Sequence, residues 1–135
     1  MKNFSMDAML ELESQLQDYG WIAHHEDSPD GKTANHHTHG LAENFDHDDF
    51  QLVLDVDPRI PQEIFSRLVD LVAEGTVFQE GKRYARVITG FEVEMKRVEE
   101  DERELLRVIL PDPNGKFPED DGCEEMYMMQ AHAFL

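Results

Sequence analysis

The apolar residues of this chain change their spacing twice, and that change narrows the folds open to it. Between Pro61 and Gly75, Ile64, Phe65, Leu68, Leu71 and Val72 recur at three- and four-residue intervals, the stripe of a helix that buries one side. Pro61 suits the first helical position, Gln62 and Glu63 fall in the first turn, and Gly75 supplies the stop. On either side the period falls to two. Phe50, Leu52, Leu54 and Val56 share one face of a strand over Phe50–Asp57. Tyr84–Ile88 and Leu105–Leu110 read as strands, and Phe91, Val93 and Met95 alternate with Glu92, Glu94 and Lys96 in another. Tyr127, Met129, Ala131, Ala133 and Leu135 predict a final strand over Met126–Leu135.

The N-terminal part adds a second helix and a hairpin. Ser5 can cap a helix over residues 5–19 whose apolar face is Met9, Leu12, Leu16 and Tyr19, with Gly20 ending it. Trp21–His25 and Ala34–Leu41 flank a Ser28-Pro29-Asp30-Gly31 turn signal. Glu99-Glu100-Asp101-Glu102 reads as a solvated turn, and Pro111-Asp112-Pro113-Asn114-Gly115 opens a loop that runs to Gly122. Strands and helices do not alternate, which excludes a doubly wound parallel sheet. The expected fold is α+β over residues 1–135 as a single domain. It has an antiparallel or mixed sheet of about six to seven strands, with two helices packed on one face.

Charge narrows the partners. Thirty acidic residues against 12 Lys and Arg give a formal charge of −18. Binding to nucleic acid needs clustered cations to neutralise phosphates, so that class is excluded. Solubility, and attraction to basic partners or metal cations, are favoured. The longest apolar run is four residues, whereas a membrane helix needs ~20. The first residues carry no signal-peptide pattern, and Cys123 is the one cysteine. A cytoplasmic protein without membrane association is expected, with a homodimer, a protein or a small molecule as its partner.

Several ordered motifs resemble the bacterial family DUF4262, a domain of unknown function. They are Gly20-Trp21, Thr38-His39-Gly40-Leu41, the strand at Leu52–Val56, the helix start at Pro61, and Gly75 through Phe78 with Gly81 and Tyr84. Pro111-Asp112-Pro113-Asn114-Gly115-Lys116-Phe117-Pro118 is similar to the family's Pro-Asp-x-x-Gly-x-Phe-Pro. The likeness covers roughly residues 20–135. Two departures stand out. The segment between the strands around Phe91 and Leu106 is shorter than is usual in the family. The residues before Thr-x-Gly-Leu, mostly apolar or aromatic there, are Asn35, His36 and His37 here. The resemblance implies a fold and brings no catalytic residues with it.

Six of the seven histidines, His24, His25, His36, His37, His39 and His47, fall between positions 24 and 47. Imidazole is the commonest side-chain ligand for zinc, and a site needs three or four donors at one point. A two-residue Asp30-Gly31 loop sets His24 opposite His37 and gathers His24, His37 and His39, whereas a three-residue loop sets His24 opposite His36 and splits them. Asp46, Asp48 and Asp49 are further possible ligands. The Gly115 of Asp112-x-Asn114-Gly115 is misplaced for a calcium loop, and Cys123 lacks a nucleophile signature. Two readings lead, ahead of a metal-free enzyme that uses His and carboxylate residues. The first is a non-enzymatic module that binds a protein or small ligand. The alternative is a metal-binding protein or metal-dependent enzyme that uses His24, His37 and His39 to hold a divalent transition metal such as zinc.

Overall fold

A computed structural model describes residues 19–27, 33–100 and 102–131. The helix expected over residues 5–19 lies outside these save for Tyr19, as do turn residues 28–32 and residues 132–135. Six strands form one mixed sheet: β1 (Ile22–Asp27), β2 (Ala34–His39), β3 (Asp49–Leu52), β4 (Arg83–Ile88), β5 (Phe91–Glu100) and β6 (Arg103–Ile109). The order is β1-β2-β3-β6-β5-β4, with β3 and β6 parallel and every other pair antiparallel. The helices are α1 (Leu41–Asn44), α2 (Arg59–Ala73) and α3 (Glu125–Met128), followed by a 3-10 turn at Met129–Ala131. The fold is α+β. A parallel pair needs a long crossover, and α2 with the β4–β5 hairpin supplies the one between β3 and β6. Among the described residues no helix is long and apolar enough to cross a membrane.

The two faces of the sheet differ. Ile64, Phe65, Leu68 and Leu71 of α2 share one buried cluster with Phe50, Leu52, Val93, Met95, Leu106 and Val108. Val69 belongs to that cluster as well, and the partly buried Val72 packs against it. The helix starts at Arg59, so Pro61 is its third residue. There the missing N–H is still one of those with no partner inside the helix. Gly75, at φ +108°, closes it in the left-handed region.

Three expectations are corrected. The strand over Phe50–Asp57 ends at Leu52, because the Leu54 carbonyl instead accepts hydrogen bonds from His36 Nε2 and the Val56 N–H. The run Glu99–Glu102 is not simply a solvated turn. Glu99 and Glu100 belong to β5, the ladder continues to Glu100 opposite Arg103, and Glu102 at φ +63° makes the reversal. The strand over Met126–Leu135 is absent among the described residues, where α3 and the 3-10 turn stand instead. The reason lies in the hydrogen bonding. Gln130 Nε2 donates to the Leu110 carbonyl, and its Oε1 accepts from the Leu110 N–H. Arg107 and Lys96 donate to the carbonyls of Gln130 and Ala131. A side chain thus does at Leu110 what a strand neighbour would do.

Candidate functional site

Strand registers place a polar row across the face opposite α2. His24 pairs with His37, His37 with Gln51, Gln51 with Arg107, and Arg107 with Lys96. Cross-strand partners share a face, so these five residues cross the sheet in line. His39 stands two residues from His37 on the same face. The register with His24 opposite His37 is the one that gathers the three histidines. Their ring centres lie 4.7 Å (His24–His39), 4.8 Å (His37–His39) and 5.6 Å (His24–His37) apart.

Burial, then the neighbouring His39, His24 and Arg103, lowers the pKa of His37 to about 3. Burial, then Arg103 and His24, lowers that of His39 to about 4. Both imidazoles are neutral at pH 7 and keep a lone pair. The rings do not aim their nitrogens at one point: among the described residues no group of three or more His, Cys, Asp or Glu side chains is placed to hold a metal ion.

Beside the histidines lies a buried network for which the sequence carries only a faint sign, an Arg inside an apolar strand and a Gln between Phe50 and Leu52. Arg107 is 1% exposed and Gln51 is fully buried. Arg107 Nε donates to Gln51 Oε1 at 2.8 Å. Gln51 Nε2 donates to Asn35 Oδ1 and to Glu100 Oε2. Asn35 Nδ2 reaches Glu100 Oε2 at 3.3 Å, and His37 Nδ1 lies 3.4 Å from Asn35 Oδ1. Arg107 and Glu100 form an ion pair at 3.6 Å.

The other candidates are engaged elsewhere. His25 and His36 lie on the α2 side with their Nδ1 atoms 2.8 Å apart. His36 Nε2 faces the Leu54 carbonyl at 2.9 Å, which can only accept, so in the neutral ring the hydrogen is on Nε2 and His25 donates to His36. Burial lowers the pKa of both. His47 donates from Nδ1 to the Asp48 carbonyl and accepts the Phe78 N–H at Nε2, so neither nitrogen is open to a metal. Asp48 pairs with Arg97. Asp49 is buried and takes Thr38, the Leu41 N–H and Arg103. Burial, then the nearby carboxylates led by Asp112, raises the pKa of the Cys123 thiol, the reverse of what a nucleophile needs.

The domain of unknown function DUF4262 matches residues 15–124. The chain belongs to the DUF4262 family. No curated protein and no solved structure matches it. Two of the DUF4262 motifs build the fold around the site. In Thr-x-Gly-Leu, Gly40 at φ +105° turns β2 into α1, a conformation open mainly to glycine. Thr38 Oγ1 donates to Asp49 and accepts the Phe50 N–H, which fixes β2 to β3. In Pro-Asp-x-x-Gly-x-Phe-Pro, the Asp112 carboxylate accepts the N–H groups of Asn114, Lys116 and Glu124. These bonds, Lys116 first, hold its pKa low and lock the loop. The DUF4262 frame thus positions His37 and His39.

Proposed function

We propose that this DUF4262 protein is a metal-binding module whose His24, His37 and His39 take up a divalent transition ion such as zinc. The supporting observation is the spacing of the three rings. Zinc–nitrogen bonds of ~2.1 Å in a tetrahedral arrangement put imidazole centres about 5 Å apart. The three distances, 4.7, 4.8 and 5.6 Å, bracket that figure. Uptake requires the rings to turn about their side-chain bonds until the nitrogens converge, while the strands keep their register. Three imidazoles leave a fourth position for water or a ligand group, which is the open form of a zinc site. The lowered pKa values of His37 and His39 favour binding, since a proton does not compete there near neutrality.

Thermal melts of chelator-treated protein test this. At a hundredfold excess of zinc over Kd the folded state gains ~2.7 kcal/mol, an expected rise of roughly 5–10 °C in Tm for a domain of this size. His37→Ala/His39→Ala should lose that rise while keeping the wild-type circular dichroism. If zinc, nickel and cobalt all leave the wild-type Tm unchanged at pH 7.5, or the double variant gains equally, the reading fails. The chain is then a module for a metal-free partner.

A further inference from the structure

The buried network beside the histidines has a fixed hydrogen-bond polarity, and it ends on one of the proposed ligands. We infer that Arg107, acting through Gln51 and Asn35, holds His37 in the tautomer with its hydrogen on Nδ1 and leaves Nε2 as the nitrogen offered to a metal. The inference rests on the metal-binding reading only for the role of Nε2; the tautomer stands apart from it.

Arg107 is the one group of the network that cannot be reversed. A guanidinium has donors and no acceptor. Arg107 Nε lies 2.8 Å from the Gln51 carboxamide, so the atom facing it is Oε1. That orientation commits Gln51 Nε2 to the other side, where its two hydrogens go to Asn35 and to Glu100 Oε2. Asn35 must therefore present Oδ1 to Gln51, and its own Nδ2 then meets the Glu100 carboxylate. Turning the Asn35 amide over would set donor against donor at Gln51 and acceptor against acceptor at Glu100. Only Oδ1 is left to face His37 Nδ1 at 3.4 Å, and an amide oxygen accepts, so Nδ1 carries the hydrogen. Asn35, Gln51 and Arg107 are positioning residues. They act on a ligand nitrogen as the outer partners of metal-bound histidines do, where loss of such a partner weakens affinity ~10–100-fold. Because the anchor is a buried charge on β6, two strands from His37, the Asn35 amide keeps its polarity when the ring turns.

The test is a long-range proton–nitrogen correlation spectrum of the histidine rings in 15N-labelled, chelator-treated protein. It is recorded at pH 7.5, above the ordinary imidazole pKa of ~6.5. His37→Gln assigns the His37 signals. The expected wild-type pattern has a protonated Nδ1 and a bare Nε2. In Asn35→Ala the pattern should move toward the Nε2–H form that free histidine prefers in water. A wild-type ring protonated on Nε2, or an Asn35→Ala spectrum identical to wild type, overturns the tautomer assignment. The wild-type result decides even if the variant does not fold. Zinc is then titrated in. His37 Nε2 should be the atom whose resonance shifts, and Asn35→Ala should bind zinc ~10–100-fold more weakly. A spectrum unmoved by zinc overturns the metal reading and the role of Nε2, while the tautomer is judged on the metal-free spectrum alone.

Discussion

Arg107 carries its charge into a strand whose neighbours Leu105, Leu106, Val108 and Ile109 are all buried. Burial pulls its pKa down while Glu100 opposes the shift. Burying two charges costs several kcal/mol per ion, offset only where partners are well placed. Glu100 Oε1 is buried and accepts no hydrogen bond among the described residues, so its nearest compensation is the guanidinium at 3.6 Å. Arg107→Met should therefore destabilise the protein by about 1–3 kcal/mol, because it leaves the buried Oε1 of the half-buried Glu100 without the guanidinium. Adding Glu100→Gln to that variant should restore part of the loss, since a neutral amide needs no such partner. Urea unfolding of the two variants checks this; equal losses would show that Glu100 does not depend on Arg107. Residues of this kind are hard to read in advance. Gln51 falls on the polar side of the Phe50, Leu52, Leu54 alternation, and a period of two assigns it to solvent. Periodicity shows which face meets the apolar core and is blind to whether the other face is covered. The histidines are legible in part: their clustering is plain, while the choice between two registers needs the structure.

At the scale of elements, α2 is legible because its stripe is long enough to exclude a strand. Its Leu68 is fully buried within the cluster shared with β3, β5 and β6. Leu68→Ala removes that side chain and leaves a cavity, so a loss of about 2–5 kcal/mol is expected. A loss within error in denaturant unfolding would place α2 outside the cooperative core. The C-terminal segment shows the opposite case. Tyr127, Met129 and Ala131 alternate as a strand does, yet Met126 and Met128 are also exposed in α3, so short apolar runs do not separate the two forms. What decides the segment is non-local: Arg107 and Lys96 take its carbonyls, and Gln130 takes Leu110. No local pattern encodes partners some twenty or more residues away. The charge run at Glu99–Glu102 fails for a related reason. Glu100 is drawn inward by Asn35, Gln51 and Arg107, which lie on three other strands, β2, β3 and β6.

Two effects of opposite sign act on the whole molecule as pH falls from 7.5 toward 5. The formal charge of −18 makes the folded state self-repelling, so each proton taken up relieves repulsion and favours the compact form. Burial acts the other way. It is the largest cause lowering the pKa of His25, His36, His37 and His39. Unfolded, each of these rings returns to ~6.5. Between that value and the lower folded values the unfolded chain binds more protons, so unfolding becomes easier as pH falls. The stability these rings contribute is fully present above pH ~6.5 and is lost progressively as pH falls from there toward the folded values. Most carboxylates stay ionised down to about pH 5, so relief of repulsion is small in the window where the histidines act. Metal-free protein should therefore show a Tm that drops between pH 7.5 and 5.5. His37→Gln/His39→Gln should flatten the slope, because the two rings shifted furthest, to about 3 and about 4, are gone. Added sodium chloride separates the causes: it screens the surface field and leaves the desolvation of the buried rings nearly untouched. A drop that survives in high salt belongs to the histidines. A Tm that rises on acidification would mean that the acidic field governs these rings, and that they are better solvated than their place on the sheet implies.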